Sequence, residues 1–178
     1  KLKLVSTQIA RITQVTRDMM DFARARPAAK SLTDVNETLE ASLRLASFDK
    51  SFHRLELKKD LAANLPPIFA DADQIEQVFL NILLNARDAM PDGGALSVKT
   101  AEKNGEIEIE IADTGAGIDA NNLPKIFDPF FSTKETGQGT GLGLAVCYGI
   151  VTAHGGRIQA GANNGRGASF KIFLPLNE

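Results

Sequence analysis

Apolar residues recur at helical spacing in four parts of the chain. Helices are predicted over residues 1–26, 34–50, 71–90 and 142–154. Thr33 or Asp34 is placed to cap the second of these helices, and Asp71 the third. In residues 1–26 the apolar or small positions alternate three and four residues apart, which is the seam of a coiled coil or helix bundle: Leu2, Val5, Ile9, Ile12, Thr16, Met19 and Ala23.

Alternating apolar and polar residues predict five strands, at residues 54–60, 95–100, 106–111, 157–162 and 168–175. The first of them, R-L-E-L-K-K-D, is expected to be half-buried. Asn104-Gly105 predicts a hairpin between the second and third strands. Strands and helices alternate early in the chain, and the chain ends with two consecutive strands. This order predicts a two-layer α/β sandwich with a mixed sheet and its helices on one face.

Two structural units are expected. Residues 1–27 comprise the N-terminal bundle-type helix and a linker that contains Pro27, and residues 28–178 comprise the α/β domain. The first helix begins at Lys1 without a cap, which favours a bundle partner outside this chain. An ordinary amphipathic core helix is the alternative.

Composition and charge limit the class of protein. The net charge of -2 gives no reason to expect nucleic acid or an anionic membrane as a partner. No apolar run approaches the roughly 20 residues of a membrane helix, so we expect no membrane segment in this chain and a cytoplasmic location. A membrane anchor elsewhere in a full-length protein remains open. The single cysteine, Cys147, excludes a disulfide framework and is expected to be buried.

A polar stripe runs along the predicted helix 71–90. Gln77, Asn81, Asn85 and Asp88 are separated by four, four and three residues, so they share one helix face. An exposed face more usually carries charged side chains. An asparagine oxygen can coordinate a hard cation, and its nitrogen can donate to phosphate oxygens. We interpret the stripe as the wall of a ligand site; a plain polar face is the alternative.

The motif I-A-D-T-G-A-G-I places Asp113 at the end of a predicted strand, before Gly115 and Gly117. It lacks the third glycine of a dinucleotide-binding fingerprint, and its acidic residue precedes the glycines. An aspartate in this position is better suited to accept a hydrogen bond from a flat ligand, such as the exocyclic amine of adenine. A structural Asp-Thr-Gly turn is the alternative.

Residues 113–141 form a long connection that is typical of a functional lid or a disordered insert. It ends in G-Q-G-T-G-L-G-L, where alternating glycines open a helix and favour a phosphate chain as ligand. A P-loop is excluded because the G-K-[ST] ending is missing. The preceding F-D-P-F-F-S-T-K offers three phenylalanines as anchors and Lys134 as a partner for phosphate. A loop packed permanently on the core is the alternative.

In order along the chain, N-I-L-L-N-A-R-D-A, D-T-G-A-G-I, F-D-P-F-F-S-T-K and G-x-G-T-G-L-G-L resemble the ATP-binding domain of sensor histidine kinases, in the GHKL superfamily. The nitrogen-regulation-type sensors are the most similar. The resemblance spans residues 32–176 and implies an α/β sandwich that holds ATP and Mg²⁺ between two helices beneath a flexible lid. It implies Asn85 as the metal ligand, Asn81 and Lys134 as catalytic residues, and Asp113 as the partner of the adenine amine. The implied nucleotide-binding positions are Asn81, Asn85, Asp88, Asp113, Gly115, Gly117, Ile118, Phe127, Lys134, Gly139, Thr140, Gly141, Leu142 and Gly143.

The same resemblance implies a homodimer through an N-terminal helix hairpin, and onward phosphoryl transfer to the receiver domain of a response regulator. Residues 1–27 resemble the second helix of that hairpin. The acceptor histidine belongs to the first helix, in an H-E-x-x-x-P motif that this sequence lacks. Neither His53 nor His154 matches it. We therefore expect a fragment that phosphorylates a histidine on a separate helix.

The residue at position 81, which is Asn81, separates the expected kinase from the related ATPases of the superfamily. Superfamily ATPases such as type II topoisomerases and mismatch-repair proteins carry a glutamate there, which acts as general base on the attacking water. A neutral amide lacks that basicity, so the predicted site holds ATP without activating water efficiently. A module that binds nucleotide without transfer is a further alternative, which the intact Lys134 and glycines disfavour.

Overall fold

The computed structural model describes residues 28–134, 139–163 and 166–176. Its helices are α1 (Val35–Ala46), α2 (Ala72–Asp88) and α3 (Gly143–Ala153). Its strands are β1 (Ser31–Thr33), β2 (Leu55–Leu61), β3 (Ile68–Ala70), β4 (Gly94–Lys103), β5 (Glu106–Asp113), β6 (Arg157–Ala162) and β7 (Ala168–Pro175). The predicted helix of residues 1–26, and with it the unit of residues 1–27, lies outside the described residues.

The described strands form a five-stranded sheet and a two-stranded ribbon. The sheet order is β2-β4-β5-β7-β6, in which β2 runs parallel to β4 and every other neighbouring pair is antiparallel. Lys103 pairs with Glu106 across a two-residue turn at Asn104 and Gly105, both with positive φ, so the predicted hairpin is confirmed. The predicted α/β sandwich with a mixed sheet is likewise confirmed.

The alternation in β5 separates the two faces of the sheet. Ile107, Ile109 and Ile111 are at most 1% exposed and belong to the hydrophobic core. Burying each isoleucine contributes about 1.5–3 kcal/mol relative to leaving it exposed. On the opposite face, Glu108 forms ion pairs with Lys103 and Lys171 on the two neighbouring strands. Opposite charges across strands support the register and keep this face polar.

The helix α2 divides into a buried face and a polar face. The Asp71 side chain caps it as predicted, by accepting a hydrogen bond from the N–H of Gln74 at 3.2 Å. The residues packed into the core follow helical spacing: Ile75, Val78, Phe79, Ile82, Leu83 and Ala86. The predicted stripe of Gln77, Asn81 and Asn85 is only partly buried, and Asp88 is exposed. The core therefore fixes which way the stripe faces.

Several predicted element boundaries were wrong. The helix α1 ends at Ala46 instead of residue 50, because Ser47 Oγ donates to the carbonyl of Arg44 at 2.6 Å and a turn follows. The helix α2 ends at Asp88 instead of residue 90. The strand β2 is mostly exposed instead of half-buried, because it lies at the edge of the sheet.

The two-stranded ribbon was not predicted from the sequence. It consists of β1 and β3, which pair antiparallel with Leu32 opposite Phe69. Strands of three residues are too short for a periodic pattern to show. None of the described helices is long and apolar enough to cross a membrane.

Replacing Leu83 with alanine should lower the free energy of unfolding by about 2–5 kcal/mol, because the fully buried side chain would leave a cavity. Urea denaturation measures the change. Leu84→Ala is the matched control, since the neighbouring leucine is partly exposed and shares the same helical context. Equal losses for the two variants would contradict the assigned orientation of α2.

Candidate nucleotide-binding site

The polar stripe of α2 faces the start of α3. Asn81 Nδ2 donates a hydrogen bond to the carbonyl of Gly143 at 3.3 Å. A side chain on Gly143 would begin 3.7 Å from the Asn81 amide carbon, so the two residues are neighbours. No described side chain caps α3 at Leu142, which leaves the first N–H groups of this helix open to a ligand. The arrangement suits an anion bound beside Asn81.

Lys134 lies over the same stripe, one turn further along α2. Its Nζ is 2.6 Å from Asp88 Oδ2 and 3.4 Å from Asn85 Oδ1. The other carboxylate oxygen of Asp88 accepts hydrogen bonds from Arg87, which also binds Asp49. The partial burial of the Asp88 carboxylate would by itself raise its pKa, but the hydrogen bonds from Lys134 and Arg87 hold the pKa below its ordinary value. Asp88 is therefore an anion at neutral pH.

Asp113 lies at the end of β5 and is only 3% exposed. Its Oδ1 accepts hydrogen bonds from the N–H groups of Gly115 and Ala168, at 2.8 and 3.2 Å. The other oxygen, Oδ2, accepts from neither of these groups. In the described part of the chain, every fully buried side-chain oxygen or nitrogen has a hydrogen-bond partner, so Oδ2 is accessible to solvent. Burial raises the pKa of Asp113, and the two N–H groups offset part of that effect. A ligand amine can bind Oδ2.

The glycine loop after β5 packs against the end of α2. A Cβ atom on Gly115 would lie 2.4 Å from the carbonyl oxygen of Ala89, and the N–H of Ala116 donates to that same oxygen at 3.1 Å. Gly117 approaches the β6–β7 turn, and Ile118 packs partly on the core. The structure thus brings these three predicted positions next to Asp113 and α2.

The turn between β6 and β7 supports Asp113 from the other side. Gly167 has φ +86°, and a Cβ atom placed there would lie 2.0 Å from the Asp113 carbonyl oxygen. Asn163 Nδ2 donates to the same oxygen at 2.7 Å. Only glycine allows this approach, which places the Ala168 N–H on the Asp113 carboxylate. The motif around Gly167 therefore orients Asp113.

The phenylalanine loop is joined to the glycines before α3. Phe130 has φ +67°, and its N–H donates to the carbonyl of Gly141 at 2.9 Å. A Cβ atom on Gly141 would lie 2.4 Å from the Phe130 carbonyl carbon. The ring of Phe127 contacts that of Tyr148 on α3, with 5.8 Å between centroids. These contacts connect Phe127 to α3 and Phe130 to the glycine that lies just before α3.

The remaining predicted positions lie along this connection. A Cβ atom on Gly139 would lie 3.1 Å from Ser132 Oγ. Thr140 Oγ1 accepts a hydrogen bond from the N–H of Leu142 at 3.3 Å. The Leu142 side chain is 1% exposed, so this residue can offer a ligand only its backbone.

A cavity of about 640 Å³ opens beside the glycine loop. The turn after α2, the loop of residues 114–119 and the β6–β7 turn line it, and it includes Gly115, Gly117 and Ile118 among the predicted positions. Asn81, Asn85 and Lys134 do not line it. The glycine loop therefore forms one wall of this cavity, while the polar stripe of α2 faces α3.

The residues missed by sequence reasoning act through the predicted ones. Arg87 connects Asp88 to Asp49, and Asn163 binds the backbone of Asp113. Arg87 lies one position off the helical stripe, so the spacing of the stripe does not include it. Asp49 and Asn163 lie in turns far from their partners in sequence, and only the folded chain brings them together.

Both histidines have structural contacts. His154 is buried and its Nε2 accepts a hydrogen bond from the N–H of Asp71 at 3.0 Å. Its Nδ1 lies 2.8 Å from the carbonyl of Ile150 and donates to it, because only a protonated Nδ1 leaves Nε2 free to accept. His53 Nε2 lies 2.8 Å from the carbonyl of Ser47. Each ring therefore helps to hold a helix end or a turn.

The side chains on α2 can bind a hard cation only if a ligand supplies some of the coordinating oxygens. The described residues contain no group of three or more histidine, cysteine or acidic side chains that could hold a metal ion. Asn85 Oδ1 is an oxygen donor at this position, and it already accepts an ammonium. Magnesium commonly completes its coordination with substrate phosphates and water. The site is thus compatible with a metal that arrives with a phosphorylated ligand.

This fold and site define a nucleotide-binding α/β domain, and comparison with known proteins identifies its class. Residues 70–178 match the histidine kinase-, DNA gyrase B-, and HSP90-like ATPase family, to which the chain belongs. The predicted resemblance is thereby confirmed.

Two similar proteins are sensor kinases. The chain is 36% identical over 175 residues to sensor histidine kinase ZraS of Escherichia coli K12, covering 98% of this chain and 37% of ZraS. It is 41% identical over 184 residues to sensor kinase CckA of Brucella abortus 2308, covering 93% of this chain and 19% of CckA. The crystal structure of full-length ShkA with AMPPNP matches with a TM-score of 0.80 and 27% identity, over 92% of this chain and 35% of ShkA. The chain therefore spans well under half the length of these proteins.

Gly167→Ala should lower the free energy of unfolding by about 1–3 kcal/mol, because it combines backbone strain with overpacking against Asp113. The amide of Ala168 should also exchange its hydrogen faster. Urea denaturation and hydrogen exchange measure the two effects. Gly161→Ala, in the same hairpin but with open space around it, should be neutral or slightly stabilising. Equal effects of the two changes would contradict the contact.

Proposed function

We propose that this chain is the ATP-binding catalytic part of a sensor histidine kinase. It transfers the γ-phosphoryl group of ATP to a histidine on a separate helix, for onward transfer to an aspartate of a response regulator. The observation that carries the proposal is the Asn81 side chain, whose neutral amide lies at the start of α3 where phosphates would bind. The sensor kinases among the similar proteins support the same function.

The chemistry of Asn81 decides between a kinase and a hydrolase. Asn81 lies one helical turn before Asn85 and donates through Nδ2 to the Gly143 carbonyl. An amide accepts no proton at neutral pH, so it cannot serve as general base for an attacking water. Bound ATP would then persist until an imidazole nucleophile is delivered. Positioning and charge neutralisation supply the catalysis in such a transfer.

The phosphate end of the nucleotide would be held by residues around α2 and α3. We assign Asn81, Lys134 and the backbone of Gly139–Gly143 to the phosphates, and Asn85 Oδ1 to Mg²⁺. The metal ion, when bound, would neutralise phosphate charge. Lys134 already lies beside Asn85, so the ammonium needs only a short movement to reach a phosphate. Lys134 and Asn81 are the proposed catalytic residues.

The adenine end would lie at Asp113. Its Oδ2 is the acceptor for the adenine amine, and Gly115, Gly117 and Ile118 form the adjoining wall. Phe127, together with Tyr148, would support the loop that covers the nucleotide. Asp88 borders the phosphate end through its contact with Lys134.

The partners follow from the proposed transfer. A receiver domain would accept the phosphoryl group, and a second copy would join through the predicted helix and linker of residues 1–27 in the full-length protein. The apolar seam of that segment supports the dimer. A cytoplasmic location for this part of the protein fits its requirement for ATP. Neither nucleic acid nor a membrane surface is a proposed partner.

Phosphoryl transfer tests the proposal directly. The chain is incubated with γ-labelled ATP, Mg²⁺ and a separately folded helical hairpin of the sensor-kinase type that carries the acceptor histidine. Label should appear on the hairpin in an acid-labile, base-stable form. Lys134→Ala should slow the labelling by about 10²-fold or more, because it removes a charge aimed at the transferred group.

A hairpin with glutamine in place of histidine is the control and should remain unlabelled. Rapid release of phosphate by the chain alone would instead indicate a water-activating ATPase. ATP binding without any labelling of a verified hairpin would indicate a module that binds nucleotide without transfer.

Asp113→Asn should weaken ATP binding by about 10- to 100-fold, because it exchanges a charged acceptor, worth about 1.5–3 kcal/mol, for a donor. The N–H groups of Gly115 and Ala168 hold the new amide oxygen at the Oδ1 position, so its NH₂ group faces the ligand. The preference for ATP over GTP should narrow, since the guanine carbonyl can accept from this NH₂. Isothermal titration calorimetry with each nucleotide measures the change.

The variant should not lose stability at neutral pH. Burial raises the pKa of Asp113 in the folded chain, so ionisation opposes folding as pH rises through that pKa, and asparagine removes this cost. Asp60→Asn, which removes one carboxylate charge from the exposed edge strand β2, is the control and should leave ATP affinity unchanged. An unaltered affinity for Asp113→Asn would refute the adenine assignment.

A further inference from the structure

The ammonium of Lys134 lies between two oxygens of α2. It is 2.6 Å from Asp88 Oδ2 and 3.4 Å from Asn85 Oδ1. An ammonium group has donors and no acceptor, so it takes the place where oxygen atoms concentrate negative charge. Asn85 and Asp88 are three residues apart on α2 and therefore share one face of the helix. The lysine thus marks a cation site that both residues border.

The Asp88 carboxylate is held in position independently of Lys134. Its Oδ1 accepts hydrogen bonds from Nε and Nη2 of Arg87, at 2.9 and 2.5 Å. The Nη1 atom of Arg87 binds Asp49 Oδ2, which connects the guanidinium to the turn after α1. Movement of Lys134 toward a phosphate would therefore leave Asp88 Oδ2 facing Asn85.

Magnesium is usually bound through one or two carboxylates together with substrate phosphates. Asn85 supplies an amide oxygen and no charge. Among the described residues that contact Lys134 Nζ, Asp88 supplies the carboxylate. An amide and a carboxylate on one helical face would serve this ion better than the amide alone.

We propose that Asp88 is the second protein oxygen of the magnesium site, bound directly or through one water, and that the Lys134 ammonium takes its place when no metal is bound. The inference rests on the proposed function, because it concerns the metal that accompanies ATP. Lys134 and the ion are like charges at the same oxygens, so binding of one displaces the other. Displacement releases Lys134 toward the phosphates. Arg87 is a positioning residue for Asp88.

The alternative role of Asp88 is a counter-ion for Lys134 alone. In that case the carboxylate competes with phosphate for the ammonium and repels the nucleotide. Removing its charge would then tighten ATP binding by the same factor with or without metal. The two roles differ in the effect of Mg²⁺ and can be separated by binding measurements without any turnover.

The experiment measures the dissociation constant of ATP by calorimetry, in EDTA and in excess Mg²⁺, for the wild-type chain and for Asp88→Asn. The ratio of the two constants is the gain in affinity that the metal supplies. Asp88→Asn should reduce this gain about tenfold, while affinity in EDTA stays equal or rises. Asn85→Ala should reduce the gain at least as much. Arg87→Met should give a smaller reduction, which Arg87→Lys partly restores.

Asp73→Asn is the matched control, because it removes one carboxylate charge from the opposite end of the same helix. Its metal-dependent gain should equal that of the wild-type chain. If Mg²⁺ increased the ATP affinity of Asp88→Asn by the same factor as that of the wild-type chain, the inference would be overturned, whether or not overall affinity changed. The proposed function would stay intact. Failure of the wild-type chain to bind ATP in either condition would overturn the proposed function and this inference together.

Discussion

The site depends on one constraint, which is that α2 must bury one face while its other face stays open to α3. The buried face extends from Ile75 to Ala86, and its contacts with the sheet set the rotation of the helix. Asp71 fixes the beginning: its side chain caps α2 and accepts the N–H of Ala29, while its own N–H donates to His154 at the end of α3. The relative position of the two helices that flank the proposed phosphate site therefore depends on the core and on this polar junction.

Close backbone contacts hold Asp113 in position at the proposed adenine end of the site. Gly115 rests on the last turn of α2, and Gly167 rests on the carbonyl of Asp113. Larger side chains at these positions would separate the loops from Asp113 and remove the N–H groups that orient its carboxylate. A buried carboxylate with one oxygen held and the other open is well suited to select a ligand amine. In the proposed adenine site, specificity would thus depend on backbone shape as much as on the aspartate.

At the proposed phosphate end, ion pairs hold the side chains in position. Two carboxylates, Asp49 and Asp88, alternate with two cations, Arg87 and Lys134, in one connected set of ion pairs. Exposed pairs of this kind contribute little stability, about 0–1 kcal/mol each. Their value lies in positioning, because they keep a lysine and a carboxylate beside Asn85 before any ligand arrives. In the proposed function, a nucleotide and its metal would then replace some of these ion pairs with their own contacts.

The sequence by itself determined the fold class, most helices and strands, the polar stripe of α2 and the Asp113 motif. These features repeat with a helical or strand period or lie within a few residues of one another, so local physics makes them visible. It missed the β1–β3 ribbon and the edge position of β2, which depend on pairing partners elsewhere in the chain. It also missed the early end of α1, where the Ser47 side chain bonds a backbone carbonyl without leaving a periodic pattern. Only the tertiary structure decided that Arg87 bridges Asp88 and Asp49, that Asn163 holds Asp113, and that Lys134 lies between Asn85 and Asp88. Those contacts join residues up to 50 positions apart in sequence, and such distances leave no periodic signal.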